Sequence, residues 1–342
     1  MDRLSKVLLA LFLTGLIVSP VYAVDEYTKT KYPIVMVPGV MGWDTMLGFY
    51  DYFYGVQDAI QRSSNGQRVH LMSVAAWQQT ETRGISLKNA IESLCSTYGY
   101  TKVNIIAHSH GSTTSRVAMY LKPSQVASLT TVAGPHYGTP FADYANSLPP
   151  WLVATVCAGL NLTGDMLALL SNHCEWLANQ DAQAVLNDFT QQGIQKFNTK
   201  YPCAGVPAGG SYGNLKYGSD AATSWAKAGD GRAAAKSTTD PTAILYYSFT
   251  GNIGHDWSTN VLDLSDVILS GINLFNELEG YYGNADAFIP VTSARFGNVV
   301  SSSYYWNHVD EQNQLFGLRA LLSADPLTVY RQHANRIKLA GR

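Results

Sequence analysis

The stretch "NIIAHSHGSTTSR", residues 104–116, places Ser109 between two histidines, with Ala107 and Gly111 on either side. A-x-S-x-G is a variant of G-x-S-x-G. In that motif small residues permit a strand-to-helix turn so tight that a bulky Cβ would meet neighbouring chain. A serine at such a tip is exposed and can attack a carbonyl, provided a base, an orienting acid and an anion site surround it.

The hydrolase order is serine, then acid, then histidine. The histidines after Ser109 are His110, His136, His173, His255, His308 and His333. His110 adjoins the serine and reaches back over it poorly. His308, in the polar stretch "YYWNHVDEQNQLFGL", is the best candidate base. Asp286, in "GNADAFIP", follows a predicted turn and would hold the imidazole in the right tautomer. Asp263 and Asp266 rival it on spacing alone. The oxyanion needs two fixed N–H donors. One is expected from His110, directly after the serine. The other is expected from Val40, the natural donor in "VPGVMGWD", with a plain glycine turn as the rival reading of that stretch.

These residues need a rigid frame. Residues 33–37, 103–107, 126–132 and 244–249 are short apolar runs, as in strands buried on both faces. A helical pattern over 114–121 follows the serine. Strands separated by helices predict an α/β fold with a mostly parallel central sheet flanked by helices. Pro149 to Leu170 is apolar almost all round, with Asp165 its only charge. It reads either as a core helix or as a lid over an apolar cleft. Residues 204–242, rich in Gly, Ala and Ser, read as an irregular insertion.

The start of the chain is basic through Arg3 and Lys6, then apolar from Val7 to Val18, then V-Y-A at 21–23. This predicts a signal peptide over 1–23 and export. No later stretch reads as a membrane span. The remainder, 24–342, is expected to be one domain, with a lid region at about 146–180 and the insertion at about 204–242. A net charge of −2 with only 14% charged residues argues against nucleic acid and suits contact with apolar material. Four cysteines remain, at 95, 157, 174 and 203, and Cys157–Cys174 is the preferred bridge. The absence of C-x-x-C argues against a cysteine metal site.

The stretches "YTKTKYPIVMVPGVMGWD", "FYGVQDAI", "TRGISL", "TKVNIIAHSHG", "VASLTTVAGPHYGTPFADY" and "NHVDEQNQLFGL…VYRQHANRIK" resemble the secreted Pseudomonas-type triacylglycerol lipases, which are α/β-hydrolases. The match covers most of 27–145 and 284–338. The resemblance implies Ser109, Asp286 and His308 as the triad. It also implies Val40 and His110 main-chain N–H groups as the oxyanion hole, and Arg83 as a brace for the oxyanion loop. It further implies one structural calcium on the Asp263 and Asp310 carboxylates and the Gln314 and Leu318 carbonyls, with Asp266 an alternative to Asp263. Oxygen ligands with two carboxylates suit that hard cation. Finally, it implies a lipid–water interface as substrate, a membrane-anchored foldase as partner, a monomer, and secretion through a periplasm.

Three features depart from the family pattern. Pro38 stands where histidine is usual, Ala107 replaces the first elbow glycine, and no cysteine lies near Asp286. The expected activity is hydrolysis of fatty-acid esters through an acyl-enzyme. The alternatives are a short-chain esterase or acyltransferase with the same triad, and a non-catalytic lipid-binding protein.

Overall fold

A computed structural model describes residues 26–212 except 63, 65, 204, 205 and 207, and then 244–253, 264–278, 284–320 and 323–342. The leader, most of the 204–242 insertion, His255 and Asp263 lie outside the described residues.

The chain runs through β1 (Ile34–Val37), β2 (Thr45–Met46), β3 (Tyr50–Asp51), α1 (Val56–Arg62) and β4 (Val69–Leu71). Next come α2 (Thr80–Tyr98), β5 (Val103–His108), α3 (His110–Leu121), β6 (Val126–Val132), α4 (Pro140–Ser147) and α5 (Pro150–Leu170). It continues with α6 (Ala182–Asp188), α7 (Gln191–Lys200), β7 (Leu245–Gly251), α8 (Leu264–Leu278), α9 (Val291–Ala294), β8 (Asn298–Tyr304) and α10 (Pro326–Leu339). Six strands form one sheet in the order β4-β1-β5-β6-β7-β8, every pair parallel. β2 and β3 make a separate antiparallel hairpin.

The apolar runs became strands because both faces of the sheet are covered. All residues of β1, β5, β6 and β7 are buried. One face packs Val35, Ile105 and Leu129 against Leu87 and Ile91 of α2. The other packs Ile34, Met36 and Ile106 against Val56, Ile60 and the α10 residues Tyr330, Ala334 and Ile337. From β1 the chain goes to β4 on one side, then returns to β5 on the other. The crevice at the carboxyl ends of β1 and β5 is therefore a topological switch point, where open α/β sheets carry their sites. The "VPGVMGWD" loop leaves β1 there and Ser109 leaves β5 there.

α5 is not a core helix. Val153, Cys157, Gly164 and Ala168 face the body, whereas Trp151, Val156, Leu162, Met166 and Leu169 are exposed. By length and composition it could cross a bilayer, which corrects the reading that no later stretch qualifies. Its inner face nevertheless rests on protein. The expected Cys157–Cys174 bridge is absent, and no disulfide occurs among the described residues. Cys157 lies mid-helix on the buried face and Cys174 lies past the helix end. From Cys157 the helix runs on for about 20 Å to Leu170, at 1.5 Å per residue, before the chain turns to Cys174, and both cysteines are free thiols.

Candidate active site

Ser109 lies between the last residue of β5 and the first of α3, with φ 52° and ψ −129°. A non-glycine residue there costs roughly 1–3 kcal/mol and persists only where its surroundings enforce it. Here the Ser109 N–H donates to Val132 O at 2.8 Å, tying the elbow to β6. Gly111 has no room for a side chain: a Cβ would lie 2.6 Å from the carbonyl oxygens of Val37 and Pro38. Ala107 sits in β5, fully buried, where its methyl is accommodated.

The fold brings three distant residues into a line. His308 Nε2 is 3.0 Å from Ser109 Oγ, and His308 Nδ1 is 2.7 Å from Asp286 Oδ2. Asp286 is fully buried, and its Oδ1 accepts the N–H groups of Phe288 at 3.0 Å and Ile289 at 2.8 Å. The His308 N–H donates to Asp286 O at 2.8 Å, so backbone and side chain fix the pair together. Asp263 lies outside the described residues, and Asp286 is the acid hydrogen-bonded to His308, with Glu311 Oε2 farther off at 3.9 Å from the same nitrogen.

Above this line sits the loop after β1. Arg83 of α2 is buried. Its Nη2 donates to Pro38 O at 2.8 Å and Gly39 O at 2.9 Å, and its Nη1 donates to Ala76 O at 3.1 Å. Burial lowers its pKa to about 9, which leaves it charged at neutral pH. The Met41 N–H donates to Ala76 O at 3.2 Å. Val40 is thus held between two anchored neighbours. His110 is the first residue of α3, where the N–H has no intrahelical acceptor and the helix dipole is positive. Its ring is used elsewhere: Nε2 meets Thr80 Oγ1 at 2.9 Å, and the ring stands edge-on to Phe189.

Sequence reading missed a buried cluster behind the triad. His108 Nδ1 lies 2.8 Å from Tyr52 Oη, and His108 Nε2 lies 3.1 Å from Glu311 Oε2. Glu311 Oε1 accepts from the Gly251 N–H at 2.5 Å and from Thr250 Oγ1 at 3.2 Å. Burial, and then the nearby Asp286 charge, push the Glu311 carboxyl well above the usual range. Burial, and then His308, push the His108 imidazole well down. Both shifts disfavour the charged forms of the two groups. Glu311 lies three residues after His308, which was the available signal.

Three of the four positions expected to hold calcium lie within the described residues. Asp310 is buried, and its Oδ2 accepts the Asn307 N–H at 3.0 Å. The Gln314 side chain is committed to Tyr50, Asp51 and Tyr52, so a metal would meet its main-chain carbonyl. Leu318 lies four residues on, past the same turn. A buried carboxylate and main-chain carbonyl oxygens are the ligand types that a hard cation takes.

α5 roofs the site from the other side. Val153, Cys157, Leu160 and Leu167 share one apolar cluster with Val40, Ala76 and Trp77. Past its end, His173 Nε2 meets Asp44 Oδ2 at 2.9 Å and His173 Nδ1 meets Glu175 Oε1 at 2.7 Å. The hydrogen bond to Asp44, outweighing partial burial, raises the His173 pKa to about 9.

A parallel sheet whose switch point carries a strand–serine–helix elbow defines an α/β-hydrolase. Residues 32–165 match the family model for the alpha/beta hydrolase fold. The chain is 36% identical over 317 residues to a triacylglycerol lipase of Vibrio cholerae, covering 92% of this chain and 90% of that one. It is 33% identical over 347 residues to a triacylglycerol lipase of Burkholderia plantarii, covering 93% and 89%. Among solved structures, lipase 1 from Pelosinus fermentans shares the fold at TM-score 0.54 and 17% identity, covering 90% of this chain and 99% of that one. The chain belongs to the triacylglycerol lipases, a family of carboxylic-ester hydrolases.

Proposed function

We propose that this chain is an exported lipase that hydrolyses triacylglycerols at a lipid–water interface through Ser109, His308 and Asp286. The carrying observation is the hydrogen-bonded line Asp286–His308–Ser109, set at the switch point beneath an apolar helix. The name borne by relatives of near full length supports the substrate class.

Ser109 Oγ attacks the ester carbonyl while His308 Nε2 takes its proton. Asp286 stabilises the resulting imidazolium through Nδ1–H. The N–H groups of Val40 and His110 receive the oxyanion, and Arg83 keeps the Val40 loop in place without touching substrate. His308 then returns the proton to the departing alcohol, leaving an acyl-serine. Water, deprotonated by His308, attacks that ester, the acyl–Oγ bond breaks, His308 returns the proton to Ser109 Oγ, and the fatty acid is released.

Asp310, Gln314 and Leu318, with Asp263, would hold calcium. A bound ion would offset the Asp310 charge and pin the loop that carries His308. Residues 1–23 would direct export through a periplasm, where a membrane-anchored foldase would assist folding of the monomer. α5, with its outer face apolar and exposed, serves as the lid.

The test is fatty-acid release from an emulsified long-chain triglyceride with calcium present, wild type beside Ser109→Ala. Release by wild type alone supports the reading. No release from folded wild type, on long- or short-chain esters, defeats it.

A further inference from the structure

The His110 N–H serves the proposed chemistry, and the His110 ring is gripped from a distant part of the chain. Thr80 Oγ1 lies 2.9 Å from Nε2, and the Phe189 ring stands edge-on at 4.9 Å. Thr80 is buried and opens α2, so its N–H has no intrahelical acceptor. The N-cap residue Gln79 makes no side-chain bond to the helix. Asp188, the last residue of α6, supplies the cap instead, its Oδ2 accepting the Thr80 N–H at 2.7 Å. Burial pushes the Asp188 carboxyl up, and bonds from the Thr80 N–H and side chain oppose the rise. Phe189 follows directly, and its carbonyl accepts the Thr139 N–H at 3.0 Å. One dipeptide, Asp188-Phe189, therefore grips Thr80 and His110 together.

The hydrogens can be placed from this arrangement. A carboxylate only accepts, and a hydroxyl has one hydrogen to give. With the Thr80 hydrogen directed at Asp188, Thr80 Oγ1 can only accept from His110. Nε2 then carries the imidazole hydrogen, and Nδ1, which has no hydrogen-bond partner among the described residues, is bare. Burial, and then the Arg83 charge, hold the His110 pKa well down, which disfavours a second proton. The same first turn of α2 carries Arg83, whose N–H donates to Gln79 O at 3.0 Å and whose guanidinium holds the Val40 loop. Both expected oxyanion donors are thus referred to one helical turn.

We propose that Thr80 and Asp188 are positioning residues for the oxyanion hole, locking the His110 ring in one tautomer and orientation and so aiming the His110 N–H. This rests on the triad and oxyanion reading above. Neither residue touches substrate.

The test uses Thr80→Val, which removes the hydroxyl at similar volume, and Thr80→Ser, which keeps it. It adds Asp188→Asn, which still offers an acceptor to the Thr80 N–H but lets the hydroxyl turn to His110. Melting curves establish folding. kcat and KM are measured on a water-soluble short-chain ester. Affinity is measured for a trifluoromethyl ketone, whose carbonyl carbon bonds Ser109 Oγ as the serine proton passes to His308 and the carbonyl oxygen becomes an oxyanion. Thr80→Val should lower kcat and ketone affinity about tenfold, less than the hundredfold or more of a lost donor, because the N–H remains but is misaimed. KM should stay within about twofold, and Thr80→Ser should recover kcat and ketone affinity to the same margin. Combining Thr80→Val with Asp188→Asn should cost no more than Thr80→Val alone, because both act through one ring. Wild-type kcat and ketone affinity in folded Thr80→Val would overturn the proposal, as would a serine variant as impaired as the valine one. Ring nitrogen chemical shifts, assigned by their loss in His110→Gln, give a readout independent of activity. His110 should carry its hydrogen on Nε2 in wild type and lose that preference in Asp188→Asn, whereas Nδ1–H in wild type would overturn the proposal. A wild type that neither hydrolyses esters nor binds the ketone would count against the proposed function instead, and the ring shifts would still decide whether Thr80 and Asp188 hold His110.

Discussion

His308 Nε2 lies 3.0 Å from Ser109 Oγ across 199 residues of chain. Neither residue can reach the other by local structure. β5 delivers the serine, while the loop beyond β8 delivers the histidine, held by Asp286 through both backbone and side chain. Replacing Asp286 by asparagine keeps an acceptor for the Phe288 and Ile289 N–H groups but presents the wrong tautomer to His308. kcat should fall about ten-thousandfold, with little change in KM or melting temperature. Steady-state kinetics on a soluble ester checks this, and a loss below about tenfold would remove Asp286 from the relay.

Arg83 bonds three carbonyls with one planar guanidinium, a geometry that lysine cannot copy. Arg83→Lys should lower kcat by about a hundredfold, the scale of one lost oxyanion donor, and should also lower the melting temperature. Unchanged kcat in a folded variant would mean that the Val40 loop stands without its brace.

Gly39 tests the closeness of loop and nucleophile. A Cβ added there would lie 2.7 Å from Ser109 Cβ and 2.8 Å from Tyr52 Oη. Gly39→Ala should destabilise the fold by roughly 1–3 kcal/mol and abolish most activity. Denaturant titration and labelling of Ser109 measure the two effects separately.

His173 clasps the end of α5 to Asp44, with Glu175 on its other nitrogen. Its folded pKa, about 9, lies above the ordinary histidine value. The clasp's stabilisation is therefore complete below about pH 6.5 and is lost as pH rises through about 9. Proteolysis within α5 should quicken between these pH values in wild type and stay flat in His173→Gln, after correction for protease activity. Equal pH dependence in both would exclude the clasp.

Calcium removal provides a further test. A chelator should lower both the melting temperature and ester hydrolysis, and Asp310→Asn should reproduce the loss without responding to added calcium. A protein unmoved in both measurements would carry no calcium at this turn.

Much of the frame was legible because burial on both faces writes a plain signal. Residues 33–37, 103–107 and 126–132 are apolar runs, and each is a central strand. β8 was not legible. Its sequence NVVSSSY is polar and half exposed, as an edge strand can be. α5 was ambiguous because an all-apolar helix reads alike whether it is buried or lies on the surface over a cleft. The Tyr52–His108–Glu311 cluster was hidden because its members come from three separate segments. His108 drew no attention beside the more conspicuous serine. The disulfide expectation failed because flanking an apolar segment says nothing of distance once that segment is a rigid helix.

The most direct measurement is covalent labelling of folded protein by a phosphonate ester, located by peptide mass spectrometry, in wild type and His308→Ala. The account predicts one adduct on Ser109 in wild type, formed at least about a thousandfold more slowly without the imidazole. An unlabelled Ser109, or labelling indifferent to His308, would contradict it.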